Sequence, residues 1–357
     1  MGKDTDVRPG EEKRRPKAVA LLSGGLDSTL AVRMLKEQGV DVHAVNFYTG
    51  FCVTESKRGR GQTDKSGEAY RNDALHAAGE AEIDVDLVDI SEKYMEMVVN
   101  PKHGYGANAN PCIDCRIFML RKAKEIMEEE GADFIVTGEV LGQRPMSQRR
   151  HPMREIELKS GLEGKIVRPL SARALPASDA EKSGLVDREK LLGFTGRSRK
   201  PQMALAKEMG LTEYPSPAGG CCYLADEAYG RKFYDFLDHE DERRIDVRHA
   251  VLLAVGRHFR VREDAKVMVG RNEDENRVLD MHRTDEVRLY ARDRRGPLTL
   301  LQGTADAQTI ESAARLTARY SDGKREPEVI ITVEDEDGCH EVTVAPAMEE
   351  MLDPWRI

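Results

Sequence analysis

The stretch "LLSGGLDSTLAVRMLKEQGV", residues Leu21–Val40, joins the end of an apolar run to a helix through a turn that contains two adjacent glycines. The run that ends here, "KAVALLS", has the length and composition of a buried strand. After the turn, apolar residues recur at helical spacing at Leu30, Ala31, Met34 and Leu35. A strand that passes through a glycine turn into a helix is typical of an α/β fold.

Strands and helices alternate along the chain after this first unit. Strand-like runs are "DVHAVNFYT", "DVDLVDIS", "DFIVTGEV" and "KIVRPLS", and helical runs are "GEAYRNDALHAAGEAE" and "CRIFMLRKAKEIMEEEGA". This alternation predicts an α/β fold with a doubly wound parallel sheet. In such a sheet the carboxyl ends of the strands share one rim, so the regions of Ser23, Thr49, Gly138 and Ser171 are expected at that rim.

The rest of the chain has a different pattern. Residues Leu175 to Asp226 read as a helical extension that includes "PQMALAKEMG" and ends near "YPSPAGGCC", and "DEAYGRKFYDFLDHEDERR" reads as a helical connector. Short strands follow, "HAVLLAV", "AKVMVG", "EVRLYA", "PLTLLQG" and "EVIITVE", with one helix, "DAQTIESAARLTARYS". We therefore expect a flexible tail (1–16), an α/β domain (17–174), the extension and connector (175–244), an α+β domain (245–346) and a C-terminal tail (347–357).

Bulk composition narrows the class of protein. The 357 residues are 39% hydrophobic and contain no apolar run of about 18 residues, so no membrane span is expected. The charged N-terminus lacks the apolar region of a secretion signal, which predicts a cytoplasmic protein. The net charge of −9 argues against a general nucleic-acid coat, although it leaves room for a localised basic face.

Basic residues do cluster locally. The expected RNA contacts in the first part of the chain are Arg144, Arg149, Arg150, Arg197, Arg199 and Lys200. The alternative for any single run of this kind is a solvated face. Aromatic residues make up only 5% of the chain, so stacking on bases is not expected to dominate RNA binding.

The glycine turn has the composition of an anion site. Glycines allow close approach of the backbone, the helix N-terminus adds partial positive charge, and Ser23 and Ser28 add hydroxyls. Asp27 would repel a phosphate unless a cation lay between them, and Mg²⁺ is the natural choice. The turn matches neither Gly-x-x-x-x-Gly-Lys-Ser/Thr nor Gly-x-Gly-x-x-Gly. The alternative is a tight strand–helix turn with an N-cap serine.

Six cysteines in a long chain without a secretion signal favour metal or redox chemistry over a disulfide framework. Cys112 and Cys115, in "NPCIDCR", can bind a metal, form a redox disulfide or hold part of a cluster. Cys221 or Cys222 in "PAGGCC" is the candidate for a third thiolate. Three thiolates would bind a 4Fe–4S cluster with one iron open, with zinc or a cysteine persulfide as alternatives. Cys52 and Cys339 have no partner at metal-site spacing and are expected to be buried hydrophobes.

These motifs carry a family resemblance. "SGGLDS" resembles the PP-loop of the ATP pyrophosphatase superfamily, and "NPCIDC" is similar to the cysteine motif of the MnmA 2-thiouridylase family. "VTGEVLGQRPMSQ", residues Val136–Gln148, and "RPL", residues Arg168–Leu170, are similar to stretches of the ThiI 4-thiouridine synthase family. The two-plus-one arrangement of cysteines resembles the cluster-dependent thiolases. The resemblance covers roughly residues 17–225.

The resemblance implies an ATP-dependent tRNA sulfurtransferase of the 4-thiouridine or 2-thiouridine type, which adenylates a uridine carbonyl oxygen and replaces it with sulfur. It implies that tRNA is the substrate, that sulfide or a cysteine desulfurase supplies sulfur, and that ATP and Mg²⁺ are needed; a homodimer is one option. The residues expected to hold pyrophosphate and Mg²⁺ are Ser23, Gly24, Gly25, Asp27 and Ser28, with Gly138 and Glu139 bordering the nucleotide. Those expected to deliver sulfur are Cys112, Cys115 and Cys221.

A second resemblance lies near the C-terminus. "AKVMVGRNEDENRVL", residues Ala265–Leu279, resembles the opening of the NFACT-R (DUF814) RNA-binding domain, and "RDRRGPLTLL" and "AARLTARYS" are similar to its later parts. It implies that Arg271 and Asn272 contact RNA, and the alternative for this segment is a capped turn.

Two other functions are compatible with these motifs. One is a PP-loop ligase or amidotransferase that acts on a small molecule and binds zinc through its cysteines. The other is a non-enzymatic RNA-binding protein that switches with nucleotide.

Overall fold

A five-stranded sheet forms the first part of the fold. The computed structural model describes residues 14–53, 72–211, 213–214, 222–240, 242–336 and 338–357. The strand order is β3-β2-β1-β4-β5, and β1 pairs in parallel with both β2 and β4, as β4 does with β5. The strands are β1 Lys17–Leu21, β2 Asp41–Tyr48, β3 Val85–Asp89, β4 Phe134–Thr137 and β5 Ile166–Val167. The predicted doubly wound parallel sheet is confirmed.

The strand order determines where a ligand can bind. The chain moves outward from β1 through β2 and β3, and then returns to the other side of β1 with β4 and β5. The direction of winding therefore reverses between β1 and β4, and open α/β sheets bind ligands in the crevice at such a reversal. The glycine turn follows β1, and Gly138 follows β4.

Seven helices lie between or after these strands along the described part of the chain. They are α1 Leu26–Lys36, α2 Asp73–Ala81, α3 Ser91–Val99, α4 Cys112–Glu129, α5 Arg150–Ser160, α6 Asp179–Lys182 and α7 Lys200–Glu208. Leu30 of α1 and Ala206 of α7 are fully buried in one apolar cluster with Val136 of β4. The predicted extension helix "PQMALAKEMG" thus packs into the same core as the glycine turn's own helix.

The chain divides into two compact units. The first comprises Met1–Phe47, Asp73–Val88 and Arg116–Pro217, and the second comprises Tyr48–Asn72, Asp89–Cys115 and Ala218–Ile357. The glycine turn belongs to the first unit, and Cys112 and Cys115 belong to the second. Residues 1–13 of the predicted N-terminal tail lie outside the described residues.

The second unit is built on a six-stranded antiparallel sheet of order β11-β10-β8-β9-β7-β6. Its strands are β6 Arg257–Arg262, β7 Ala265–Val269, β8 Val287–Ala291, β9 Thr299–Gly303, β10 Val329–Asp335 and β11 Gly338–Val344. Its later helices are α8 Glu227–Asp238, α9 Val247–Leu253, α10 Glu273–Met281, α11 Ala307–Arg319 and α12 Glu349–Leu352. The predicted C-terminal α+β fold is confirmed.

Two sequence predictions in this unit are wrong. "HAVLLAV" was expected as a strand, but its first five residues, His249–Leu253, lie in helix α9, which begins where the Asp246 carboxylate accepts a hydrogen bond from the His249 backbone N–H at 2.8 Å. Residues 347–357 were expected as a tail, but Ala347 and Leu352 are each 1% exposed, and the Trp355 carbonyl accepts from the Arg260 N–H at 2.7 Å. The C-terminus therefore covers the β6 edge of the sheet. Among the described residues, no helix is long and apolar enough to cross a membrane.

Candidate nucleotide site and cysteine motif

The turn after β1 requires its first glycine. Gly24 has φ +74°, and a Cβ on it would stand 2.3 Å from the backbone carbon of Asp73. A side chain is excluded both by backbone conformation and by space. Gly25 has ordinary extended backbone and is the N-cap of α1, and in the described part of the chain no side chain caps the first turn of this helix.

The two serines hold the turn in shape. Ser28 Oγ donates to the Gly25 carbonyl at 2.9 Å and lies 3.1 Å from Ser23 Oγ. Neither serine acts as a side-chain cap, so the alternative of an N-cap serine is not what this turn forms. Backbone N–H groups of the first turn that lack a side-chain cap, together with the helix dipole, give the chemistry of an anion site.

Gly138, at the end of β4, lies against the same turn. A Cβ on Gly138 would stand 2.5 Å from the Ser28 nitrogen and 2.6 Å from the Asp27 backbone carbon. Any side chain there would push the turn away from β4. The structure therefore brings together the two motifs that are more than 100 residues apart in sequence, at the crevice between β1 and β4.

Only one of the two carboxylate oxygens of Asp27 has hydrogen-bond partners among the described residues. Its Oδ2 accepts a hydrogen bond from Gln143 Nε2 at 2.7 Å and forms an ion pair with Arg199 at 3.0 Å. Gln202, which is fully buried, donates to Gln143 Oε1 at 3.0 Å and so orients that amide. The other carboxylate oxygen, Oδ1, is buried and has no hydrogen-bond partner among the described residues.

This arrangement fits a magnesium ion. A buried anionic oxygen without a partner is costly, and a hard cation would satisfy it. Among the described residues, no group of three or more His, Cys, Asp or Glu side chains is placed to hold a metal. Asp27 would therefore contribute one ligand, which suits Mg²⁺, since Mg²⁺ in nucleotide sites takes one or two carboxylates and completes its shell with phosphates and water.

Glu139 belongs to a buried ion-pair network. It is 3% exposed and accepts from Arg168 Nε at 3.0 Å, from Thr137 Oγ1 at 3.3 Å, and is 3.5 Å from Arg116 Nε. Burial by itself would raise the pKa of this carboxyl, but the charges of Arg116 and Arg168 outweigh it and lower the pKa. Arg168 also pairs with Glu157. Both oxygens of Glu139 are thus engaged, and the network fixes the end of β4 behind Gly138.

Sequence reasoning missed Gln143 and Gln202. Gln143 lies inside the quoted stretch Val136–Gln148, and Gln202 is a buried polar residue on α7. Nothing in their local pattern pointed to Asp27. Arg199 was expected to contact RNA, and the structure places it on Asp27.

The paired cysteines lie at the start of α4. Cys112 is its first residue, and the Cys115 N–H donates to the Pro111 carbonyl at 2.8 Å. Both side chains are half-buried, and neither forms a disulfide with another described cysteine. Between them, the buried Asp114 accepts hydrogen bonds from the backbone N–H and from Nδ1 of His103, at 2.8 and 2.7 Å. The motif is thus anchored to the preceding loop.

The structure describes three of the other four cysteines. Cys221, the proposed third thiolate, lies outside the described residues. The backbone of Cys222 forms an isolated antiparallel β-bridge with the backbone of Cys52, and the Tyr223 N–H donates to the Phe51 carbonyl at 3.0 Å. Cys52 is half-buried. Cys339 was expected to be buried, which is wrong, because it lies exposed on the edge strand β11.

Most of the predicted RNA contacts of the first unit are accessible. Exposed side chains are those of Arg149, Arg150, Arg197 and Lys200, whereas Arg144 and Arg199 are half-buried. Arg150 also donates to the Ala174 carbonyl at 2.9 Å.

In the second unit, Asn272 caps α10 by accepting from the Glu275 N–H at 3.0 Å. Arg271 forms an ion pair with Glu275 at 2.6 Å. The capped turn weighed as the alternative is therefore present, and RNA contact by Arg271 and Asn272 stays a prediction.

Two family models match the chain. Residues 14–174 match the model described as thiamine biosynthesis protein (ThiI), and residues 256–356 match the model described as NFACT protein RNA binding domain. The chain carries a ThiI-family domain followed by an NFACT RNA-binding domain. Both resemblances drawn from the sequence motifs are confirmed.

The curated relatives of the ThiI-family domain have names that describe tRNA modification. The tRNA-specific 2-thiouridylase MnmA of Petrotoga mobilis is 32% identical over 130 residues, which is 35% of this chain and 35% of that protein. The probable tRNA sulfurtransferase of Thermococcus kodakarensis is 31% identical over 186 residues, 52% of this chain and 43% of that protein. The chain thus spans less than half the length of these relatives.

Solved structures with partial likeness include a 4-thiouridine synthetase–RNA complex with bound ATP, at 21% identity and TM-score 0.33. The likeness covers 55% of this chain and 52% of that one. The C-terminal part of the fibronectin/fibrinogen-binding protein of Streptococcus suis has 15% identity and TM-score 0.27, covering 69% and 94%.

Proposed function

We propose that this protein is an ATP-dependent tRNA sulfurtransferase that converts a uridine to thiouridine. The observation that carries the proposal is the turn at Gly24–Ser28 beside Gly138. Among the described residues, the first amides of its helix have no side-chain cap and one buried oxygen of Asp27 has no hydrogen-bond partner. The ThiI-family match and the tRNA-modifying relatives support the same chemistry.

The first step converts the uracil carbonyl oxygen, which is a poor leaving group, into part of a good one. A uracil oxygen attacks the α-phosphorus of ATP, pyrophosphate departs, and the oxygen becomes part of an AMP ester. A sulfur nucleophile then adds to the ring carbon, and AMP leaves with the former carbonyl oxygen. The turn's part is to hold the departing pyrophosphate by backbone N–H groups, where its charge is stabilised by the helix dipole.

Asp27 would hold Mg²⁺ against those phosphates through Oδ1. The ion, when bound, neutralises charge that builds up on the departing pyrophosphate. Gln143 and Arg199 keep Oδ2 fixed, so that Oδ1 stays aimed away from them. Gln202 supports Gln143 from a fully buried position. We assign Gln143 and Gln202 as positioning residues for the carboxylate.

Cys112, Cys115 and Cys221 are proposed to deliver sulfur, either on a 4Fe–4S cluster or as a cysteine persulfide. The hydrogen bonds between Asp114 and His103 anchor the motif to the preceding loop, which supports a fixed position for the two thiols. Sulfide is the proposed donor for the cluster route. For the persulfide route the proposed donor is a cysteine desulfurase, which supplies sulfur at the persulfide level; after the persulfide has displaced AMP, a second cysteine thiol releases thiouridine and forms a disulfide, which an external thiol reduces. The exposed Arg149, Arg150, Arg197 and Lys200 and the NFACT domain are proposed to bind the tRNA.

The test is nucleoside mass spectrometry. Anaerobically purified protein is incubated with tRNA, ATP, Mg²⁺ and sulfide, and the digested tRNA is searched for thiouridine. Wild type should form thiouridine and release pyrophosphate only when tRNA is present, and Asp27→Asn should form neither. Asp41→Asn, at an exposed position that opens β2, is the matched control and should behave as wild type. Thiouridine at wild-type levels in Asp27→Asn would overturn the proposal.

A further inference from the structure

A cavity of about 600 Å³ lies between helix α11 and the edge strand β11 of the second unit. This volume is within the range of small-ligand pockets. None of its lining residues is among those assigned above to nucleotide, cysteine chemistry or phosphate contacts. Its lining includes Ile310, Glu311 and Arg315 of α11 and His340, Val342 and Val344 of β11.

The walls are apolar and the small residues leave room between them. On β11, side chains alternate between the two faces of the sheet, so His340, Val342 and Val344 share one face. Val344 and Val342 pack with the apolar cluster that includes Ala314 of α11, which identifies this face as the one toward the helix. Ile310 contributes the apolar part of the opposite wall.

The polar groups on the helix side form a pair with spare bonding capacity. Glu311 and Arg315 stand four residues apart, one turn along α11, with Arg315 Nη1 3.6 Å from Glu311 Oε1. The Arg315 Nε is buried and has no hydrogen-bond partner among the described residues. The Glu311 side chain is 60% exposed. A carboxylate and a guanidinium, side by side at one cavity, call for a ligand with adjacent donors and adjacent acceptors.

We propose that this cavity binds the guanine base of an unpaired nucleotide. Guanine presents N1–H and N2–H side by side, which a carboxylate accepts, and O6 and N7 on the adjoining edge, which a guanidinium donates to. Adenine, cytosine and uracil each offer no more than one donor group on the base-pairing edge. Single-stranded RNA exposes that edge and leaves the base free to enter a cavity.

The inference rests on the proposed RNA binding of the NFACT domain and not on sulfur transfer. It adds a base preference to a domain whose other contacts, through arginines and phosphates, carry no sequence information.

The test is fluorescence anisotropy of the full chain with labelled eight-nucleotide RNAs. Each RNA is oligouridine with one central guanine, adenine or cytosine, and ATP is left out. The guanine RNA should bind about 5- to 100-fold more tightly than the others, the discrimination expected of one well-made bidentate base contact. Glu311→Gln should abolish the preference, because its amide nitrogen donates where guanine also donates.

Two further variants make the test decisive. Glu227→Gln removes the carboxylate of another exposed (i, i+4) pair, with Arg231 on α8, and should keep the guanine preference. Ala307→Phe, which fills the cavity from an exposed position, should lose it, with circular dichroism showing that each variant is folded. Equal binding of all RNAs by wild type, or a preference that survives Glu311→Gln, would overturn the inference. Neither result bears on thiouridine formation, which is measured separately.

Discussion

Gly138 lies against the Ser28 backbone so closely that a Cβ on Gly138 would stand 2.5 Å from the Ser28 nitrogen. This contact joins the end of β4 to the start of α1. It places the stretch that begins at Val136 against the glycine turn. The first turn of α1 is where a phosphate would be bound. The geometry of that turn thus depends on the absence of a side chain on a strand more than 100 residues later.

Gly138→Ala should weaken ATP binding at least tenfold, because the added Cβ meets backbone atoms that cannot move aside without shifting the turn. We also expect destabilisation by about 1–3 kcal/mol, the usual cost of overpacking. Isothermal titration calorimetry with ATP and thermal melting measure the two effects. Gly79→Ala is the control: it lies in α2 with nothing near its Cβ position, so ATP binding should not change and helix stability should rise slightly. Wild-type ATP affinity in Gly138→Ala would contradict the packing argument.

Gln202→Leu should raise the KM for ATP and slow thiouridine formation, although Gln202 touches no substrate in our proposal. The variant removes the donor to Gln143 Oε1, and Gln143 is then free to turn away from Asp27. The unpaired buried amide should also cost about 1–3 kcal/mol of stability. Met203→Leu, an exposed neighbour on α7, should change neither property. A loss of stability with unchanged ATP kinetics would mean that Gln202 serves packing alone.

Glu139→Gln should flatten the acid limb of the stability curve. The lowered pKa of Glu139 in the folded protein means that its ion pairs stabilise fully above the ordinary value of 4.5, and that this stabilisation disappears as the pH falls through the folded pKa. The variant should also be less stable by about 3 kcal/mol at pH 7, since Arg168 is left buried with less compensating charge. Denaturant unfolding from pH 7 down to pH 3 checks both. Parallel curves for variant and wild type would exclude the assigned role.

Lys232 should make the second unit more stable at alkaline pH. It is 8% exposed, and burial, with Arg271 and Lys266 nearby, lowers its pKa to about 7. Between this value and the ordinary 10.5 the unfolded chain binds more protons, so stability rises with pH, by at most about 1.4 kcal/mol per pH unit. Below pH 7 both states are protonated and this contribution is constant.

Lys232→Met should therefore reduce the slope of stability against pH between 7 and 9. Lys266, whose pKa is lowered to about 8, retains a part of the slope. Urea unfolding at several pH values measures it, and an unchanged slope would show that Lys232 stays charged in the folded protein.

Substitution of single cysteines distinguishes the proposed sulfur-delivery residues from Cys52, whose backbone forms a β-bridge with that of Cys222. In anaerobically purified protein, Cys112→Ser, Cys115→Ser and Cys221→Ser should lose iron–sulfur absorbance and thiouridine formation. Cys52→Ser should keep both, because Cys52 lies opposite Cys222 rather than in the paired motif. Wild type without iron but with activity would favour the persulfide route. Thiouridine formation by Cys112→Ser at the wild-type rate would exclude this motif from sulfur delivery altogether.

The sequence predicted more of the fold than of the site. Strand–helix alternation through "KIVRPLS" was enough for a parallel sheet, because period and turn chemistry are local properties. "HAVLLAV" was mistaken for a strand, since its apolar run suits either structure and the cap at Asp246 decides for a helix. The short C-terminal segment gave no periodic signal, and its burial depends on pairing with β6.

The sequence by itself determined the chemistry at the first turn: "SGGLDS" after a strand supplies the glycines, the hydroxyls and the carboxylate within six residues. Only the tertiary structure decided what surrounds Asp27. Gln143 and Asp27 are 116 residues apart, and Gln202 lies further still along the chain. Their meeting depends on β4 pairing beside β1 and on α7 packing into the same core, and that arrangement is set by buried contacts across the fold rather than by any local pattern.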